Sequence, residues 1–386
     1  MIASSRAGHL VQQQGGLEGF AAFIPAPLPP DPPLGFDGGL RNALEAASHA
    51  LGGLDAVSTF VQPEHLLYMY VRKEAVLSSQ IEGTQSTLSD LLQYEMEEAP
   101  GAPIQDVQEV SRYVAALQHG VERLRAGFPV SLRLIREVHG VLMQGGRGGQ
   151  QSPGEFRRTQ NWIGGTRPGN ARFVPPPPHE MLVALDNLEK FIHDQPERTA
   201  PLVKAGLAHA QFETIHPFLD GNGRVGRLLI TLLLFAEGVL REPFLYLSLY
   251  FRQHRADYYD ALQRVRTHGD WEGWLLFYLT GVEAVARQAA ETTRALLDLF
   301  ETDTDRIRSL GRGAASALAV FDLLRRRIIV STPRAAEALG LSQPTVAAAL
   351  RRMIDLGMVH EITGRERGRQ FVYRRQLEIL DQGIPD

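Results

Sequence analysis

Apolar residues recur at three- and four-residue spacing along most of this chain, and that period predicts a mainly helical protein. Helices are expected over about 39–60, 64–82, near Leu88, 105–125 and 131–144. In the last of these Ser131 suits an N-cap and Gly145 a stop. The same period returns over 179–194, 201–215, 224–237, 252–267 and 270–300, with Gly238 after the third. Within it the run Leu228 to Phe235 is apolar enough to predict a buried helix. No repeat of the solenoid kind is visible.

Two regions break the pattern. Residues 26–35, Ala-Pro-Leu-Pro-Pro-Asp-Pro-Pro-Leu-Gly, cannot be helix and predict an extended arm. Residues 145–178 are punctuated by glycine and proline around two short strand candidates, Gln160–Ile163 and Ala171–Val174. The turn chemistry of Gly164-Gly-Thr-Arg-Pro-Gly-Asn lies between them, so an irregular β-hairpin closed by Pro175 to Pro178 is expected.

The last 75 or so residues look like a separate unit. A short helix from Ser331 ends at Gly340, Leu341-Ser-Gln turns, and Pro344 opens a helix to about Leu356, with Ser342 or Gln343 near its cap. Strand candidates Val359–Ile362 and Gln370–Tyr373 then flank Gly-Arg-Glu-Arg-Gly-Arg. Helix, turn, helix and hairpin is a winged helix-turn-helix layout. The expected division is an N-terminal arm with helices over 1–110, a helical core over 111–300 and this domain over 301–386.

With 386 residues the chain has room for more than one domain. It has no cysteine, which excludes disulfides and thiolate metal sites and suits a reducing compartment. The start Met1-Ile-Ala-Ser-Ser-Arg does not resemble a secretory signal. No apolar stretch approaches the ~20 residues of a membrane span, so a cytoplasmic protein is expected. The net charge of −4 decides nothing about partners, but its distribution is uneven. Between Arg306 and Arg375 stand fourteen arginines and five acids, a pattern that fits either an anionic partner or a solvated basic face.

Candidate chemistry is concentrated in His216-Pro-Phe-Leu-Asp-Gly-Asn-Gly-Arg-Val-Gly-Arg227. A helix start offers unpaired N–H groups and the positive end of a dipole, and Gly221 and Gly223 allow a ligand close to the backbone. Such a turn is an anion nest suited to phosphates. Asn222 can donate an amide hydrogen bond to a phosphate oxygen, and Arg224 and Arg227, three apart, share a helix face from which guanidinium forks reach others. Asp220 is a hard oxygen donor suited to Mg²⁺. His216 can accept a proton near neutrality, as phosphoryl-type transfer to a hydroxyl requires. Gly-Lys-Ser/Thr is absent, so this is no Walker A loop.

The run resembles the signature of the Fic family, His-x-Phe-x-Asp/Glu-Gly-Asn-Gly-Arg-x-x-Arg, and matches it at every fixed position. The resemblance implies an all-helical core that transfers AMP from Mg·ATP to a Ser, Thr or Tyr hydroxyl of a target protein. By it, His216 is the base and Asp220 holds Mg²⁺. Asn222 and the amides of Gly221, Gly223 and Gly226 cradle the phosphates, and Arg224 and Arg227 bind the outer ones. Ser78-Ser-Gln-Ile-Glu82-Gly83 resembles the family's inhibitory helix motif, which implies that Glu82, with Ser78, engages Arg227 and occupies the γ-phosphate position. The hairpin at 160–174 resembles the family's flap, which holds the target segment as an added strand. Tyr258 and Tyr259 resemble an aromatic pair at the nucleotide pocket, though two packing tyrosines would look the same. Some relatives carry Asn where Arg266 falls here.

A reading of a different class is a DNA-binding regulator whose nucleotide pocket is a sensor, with Thr345, Ala349, Arg351 and Arg352 facing DNA. A protein-docking or dimer module fits the same layout. Self-modification, removal of AMP and a homodimer stay open at the level of sequence.

Overall fold

The computed structural model describes residues 6–15, 18–60, 63–96, 103–145, 152–364 and 368–382. Among them helix dominates, as the apolar period predicts. The chain opens with an antiparallel hairpin, β1 (Gly8–Gly15) and β2 (Glu18–Pro25), in register Gly8 with Pro25. The extended segment expected over 26–35 follows, and it is tied down. The Gln211 amide donates to the Ala26 carbonyl at 2.8 Å. Arg6 makes a two-pronged bond to Glu272, 2.7 Å on each prong, while its guanidinium also donates to the Pro32 and Pro33 carbonyls.

The helical body then runs α1 (Gly38–Ser58), α2 (Pro63–Ile81), α3 (Leu88–Glu95), α4 (Ile104–Arg125) and α5 (Leu132–Met143). Ser131 caps α5 as expected, its hydroxyl accepting from Leu134 N–H at 3.3 Å. After the flap come α6 (Pro178–Ile192), α7 (Pro201–Ile215), α8 (Asn222–Ala236), α9 (Ser248–Gln253), α10 (Arg255–His268) and α11 (Trp271–Arg308). Every residue of α7 from Leu202 to Ile215 is buried, which makes it the central rod of the core. Its neighbour α8 is buried from Arg224 to Leu234, as the apolar run predicts. The α1 helix lies along α11 and closes the core with Leu40, Ala47, Leu51 and Leu54.

The flap is less regular than two strands. A single bridge pairs Ile163 with Phe173, and Pro168–Asn170 form one 3₁₀ turn between them. Prolines from 175 onward remove the N–H donors that a longer ladder would need. Support comes from the N-terminal hairpin: Phe23 N–H donates to the Val174 carbonyl at 2.9 Å, and the Phe23 and Phe173 rings meet at 5.8 Å.

The C-terminal unit comprises α12 (Ala314–Arg327), β3 (Ile329–Ser331), α13 (Thr332–Leu339), α14 (Gln343–Asp355), β4 (His360–Glu361), β5 (Gln370–Val372) and α15 (Arg374–Asp381). Its sheet has the order β3-β5-β4, antiparallel throughout. The centre of the expected hairpin turn, residues 365–367, lies outside the described residues. Two expected boundaries fall inside continuous helices: 110/111 within α4 and 300/301 within α11. The outward face expected of α14 also needs correction. Ala349 is fully buried, because it lies on the stripe that packs on α12. Arg352 turns inward to donate to the Gly313 carbonyl at 3.4 Å. Exposed positions on α14 include Gln343, Pro344, Arg351, Ile354 and Asp355.

Candidate active site

His216 ends α7 in a left-handed backbone conformation, φ 50° and ψ 60°. A non-glycine residue holds that shape only where its surroundings impose it. Here they do: the His216 carbonyl accepts from Arg157 Nε at 3.0 Å and from Asn161 Nδ2 at 3.1 Å. Arg157 also donates to the Thr159 and Pro176 carbonyls, so one buried guanidinium joins the histidine to the base of the flap.

The loop from His216 to Gly221 is closed before any ligand is considered. Asn222 accepts from Phe218 N–H and donates to the Phe218 carbonyl, both at 2.8 Å. The sequence predicts that this amide donates to a phosphate; in the structure it is 2 % exposed and clamps the loop. His139 stacks flat on Phe218, with ring centroids 3.7 Å apart and 5° between planes. Its Nδ1 accepts from Gly154 N–H at 2.8 Å, so Nε2 must carry the proton that bonds the Asp220 carbonyl at 3.1 Å. Gly221, at φ 78°, turns the chain into α8, and a side chain there would strike Met143.

Both arginines of the motif are already paired. Arg227 is 2 % exposed; Nε donates to Ser78 Oγ at 2.8 Å, and Nη2 donates to the Ser78 carbonyl at 3.0 Å and to Glu82 Oε1 at 2.7 Å. Gly223 makes room for this contact, because a Cβ there would overlap the Glu82 carboxylate. Arg224, also buried, meets Glu109 at 3.4 Å and Asp220 at 3.8 Å. Glu109, on α4, was not legible in the sequence; its acidic position in an ordinary amphipathic helix gives no signal. A cavity of about 290 Å³ brings together Glu82, Glu109, His216, Asp220, Gly221, Asn222, Gly223 and Arg224. Arg227 and Ser78 lie behind Glu82 rather than on its lining.

Three other expected positions lie off that lining. Gly226 faces α7: a Cβ there would meet Glu213 and His209, and its carbonyl bonds His209 Nδ1 at 2.8 Å. Tyr258 is 1 % exposed inside an aromatic cluster with Phe251 and Trp274, and its hydroxyl bonds His209 Nε2 at 2.8 Å. A carbonyl can only accept, so His209 is protonated on Nδ1 and Tyr258 is the donor to Nε2. Tyr259 is half-buried beneath the Arg255 guanidinium. Arg266 is structural in this chain. It donates to Thr214 Oγ1 at 3.3 Å and to the Glu213 carbonyl at 2.9 Å, and lies 4.2 Å over the Phe173 ring.

The electrostatics follow from burial. Desolvation pushes the half-buried His216 imidazole down to about 3, with the charges of Arg266 and Arg157 acting in the same direction, so it is neutral at physiological pH. Desolvation raises the Glu82 carboxyl, but the charge and hydrogen bond of Arg227 outweigh it, and the net is a shift below the usual range. Burial pushes His139 down to about 4 and His209 to about 3, and pushes the carboxyls of Glu74 and Glu213 up to about 7.

These shifts predict a pH dependence of stability. The three depressed histidines stabilise fully above their ordinary value of 6.5, a contribution lost as pH falls below it. The two raised glutamates stabilise fully below 4.5, a contribution lost as pH rises through about 7. Between about pH 6 and 5 the unfolded chain therefore binds one net proton more from these five groups, and they lower stability by ~1.4 kcal/mol per pH unit on acidification. Below 4.5 the glutamate offset fades while His139, at about 4, begins to protonate in the folded chain, so the slope steepens about twofold. Urea midpoints measured from pH 8 to 4 should peak near 6–7 and fall fastest below 4.5; a flat profile down to pH 4 would contradict the burial of these groups.

Residues 41–122 match the Fic/DOC family N-terminal model and residues 129–234 the Fic/DOC family model. The chain thus carries a Fic/DOC N-terminal domain and a Fic/DOC domain over those residues. Protein adenylyltransferase Fic of Aedes aegypti is 33 % identical over 175 residues, covering 44 % of this chain and 29 % of that protein. The Drosophila grimshawi protein of the same name is 28 % identical over 267 residues, covering 67 % of this chain and 47 % of its own. The chain thus spans less than half the length of these curated relatives. Among solved structures, a Fic family protein from Desulfovibrio desulfuricans superposes with a TM-score of 0.57 at 22 % identity, covering 88 % of this chain and 97 % of that one. A Fic domain containing signaling protein from Bacteroides thetaiotaomicron gives 0.51 at 19 % identity, covering 64 % of this chain and 95 % of its own. These likenesses extend to the fold. No described helix is long and apolar enough to cross a membrane.

Proposed function

We propose that this protein is an autoinhibited adenylyltransferase that moves AMP from Mg·ATP to a hydroxyl of a target protein. The observation that carries the reading is the Glu82–Arg227 pair at 2.7 Å, beside a neutral imidazole and a preformed glycine loop. In the transfer, the target hydroxyl gives its proton to His216 while its oxygen attacks the α-phosphorus. The bond between the α-phosphorus and the bridging oxygen breaks, and pyrophosphate leaves. His216 needs no deprotonation beforehand, and the carbonyl bonds to Arg157 and Asn161 hold it in place. The amides at the start of α8 and the forks of Arg224 and Arg227 suit the departing phosphates.

A divalent cation fits Asp220, whose carboxylate is 45 % exposed at the cavity and keeps an oxygen beyond the one that accepts from Gly221 N–H at 2.6 Å. Among the described residues no group of three or more His, Asp or Glu side chains could hold such an ion, so it would share phosphate oxygens. When bound, Mg²⁺ would neutralise the phosphate charge. Glu82 and Ser78 suppress turnover by occupying the guanidinium that the outer phosphate needs. Labelled ATP incorporation by the wild-type and Glu82→Gly proteins tests the reading; no incorporation by either would remove it.

The helix-turn-helix order of α12–α15 supports a winged-helix module, but its surface favours a protein partner over DNA. Several of its arginines are spent internally: Arg325 and Arg326 on Asp322, Arg352 on Gly313, Arg374 on Glu378. Exposed α14 offers Arg351 beside Asp355 and a 38 % exposed Ile354. Retention on duplex DNA at low salt is therefore expected to be weak. A steep loss of strong binding with salt would instead establish phosphate contacts.

A further inference from the structure

The α2 helix, which leads into the inhibitory motif, is gripped along its length by different parts of the chain. Its C-terminal half faces the active site: Ser78 and the following Glu82 hold Arg227, and Glu74 accepts from Ser248 N–H at 3.1 Å, from the Ser248 hydroxyl and from the Tyr113 hydroxyl at 3.1 Å. From Tyr68 to Lys73 it faces the C-terminal unit. Lys73 is fully buried, and its ammonium donates to the Leu380 carbonyl at 2.7 Å and the Gln382 carbonyl at 3.4 Å, at the end of α15. Gln376, also fully buried, sends its amide to Met69 Sδ at 3.0 Å and to the Arg325 carbonyl at 2.9 Å. The Arg327 guanidinium lies 5.4 Å over the Tyr68 ring.

A lysine is a costly residue at such a place. An apolar side chain of similar length would pack as well without desolvating a charge. The ammonium instead makes the contact conditional: with the carbonyls of α15 in reach it is satisfied, and with α15 withdrawn it is a buried charge without them. Between Lys73 and Ile81 α2 is unbroken helix, about 12 Å long, stiff enough to carry a shift from one end to the other.

We propose that α15 is a clasp on the inhibitory helix. While Lys73 is bonded to the carbonyls of Leu380 and Gln382, Glu82 is kept on Arg227; a partner that draws the C-terminal unit off α2 frees the pocket. This rests on the reading of Glu82 as inhibitory.

The test uses full-length Lys73→Ala and Gln376→Ala, truncations that leave the Leu380 and Arg325 carbonyls without these partners, open the contact from opposite sides and lie outside the pocket. Each is made alone and with Glu82→Gly. Incorporation of label from Mg·ATP should rise about five- to tenfold in the single variants and stay within about twofold in the Glu82→Gly background. Hydrogen exchange over residues 74–82 should quicken in both single variants. Unchanged rates and unchanged exchange would overturn the clasp, and so would equal acceleration in both backgrounds, since the effect would then bypass Glu82. If the Glu82→Gly protein transfers no AMP, the proposed reaction fails instead. Exchange over 74–82 then decides the coupling alone: quickened, it stands as a mechanical link; unchanged, it falls.

Discussion

Replacing Glu82 with glycine should raise AMP incorporation about thirtyfold to a hundredfold. The carboxylate meets a guanidinium that is 2 % exposed, but is itself 36 % exposed, so solvent screens part of the attraction. A fully buried pair broken on one side costs ~3–5 kcal/mol; with screening, about 2–3 kcal/mol is a fair share here, and each ~1.4 kcal/mol is tenfold. The variant loses no packing of consequence, because Glu82 lies at the mouth of the cavity and Ser78 still braces Arg227 through two bonds. Incorporation of labelled AMP at saturating Mg·ATP measures the change. A wild-type protein as fast as the variant would mean that the pair does not restrain the reaction.

Removing the His216 imidazole should lower transfer by about 10²- to 10⁴-fold, the usual contribution of a positioned base. Alanine alone would be ambiguous, because the left-handed backbone at φ 50° penalises it by ~1–2 kcal/mol. Asparagine tolerates that conformation and cannot act as a base near neutrality, so His216→Asn separates chemistry from fold. Both variants, made in the Glu82→Gly background, should bind Mg·ATP by calorimetry yet fail to incorporate label. The neutral imidazole of the resting protein adds that kcat/KM should show no acid limb near pH 6.5 from this residue, its protonation lying near 3. An active His216→Asn protein would require another base.

Much of this architecture was legible because it depends on local pattern. The run Leu228 to Phe235 predicts a buried helix, and all of it but the half-buried Phe235 is buried inside α8. Ser131 announced the start of α5 through a hydroxyl that had an amide to cap. What stayed hidden depends on distant contact. The pairing of Arg224 with Glu109 spans 115 positions, and nothing near Glu109 marks it. The β1–β2 hairpin lacks a clean alternation of apolar and polar residues and owes its place to Phe23, Val174 and Arg6, all partnered far along the chain. Gly226 sits within the motif and Tyr258 on α10, but helix geometry points them at α7 and the aromatic core. Periodicity places a residue on a helix; which wall the helix presents to a ligand is settled by neighbours that spacing does not name. His139 and Arg157 likewise brace the loop through backbone carbonyls, a role open to almost any sequence context.

The Asn222 clamp, the His139 stack and the Arg157 brace have a kinetic consequence. Nothing in the loop waits to be built when nucleotide arrives, so on the proposed reading of Glu82 latency is a matter of occupancy, with a finished reaction chamber screened by one side chain. Switching such a molecule on needs neither refolding nor synthesis, only a shift in the fraction of time that the screen is drawn back. The response can then be graded with the strength of the stimulus and reversed as soon as it ends.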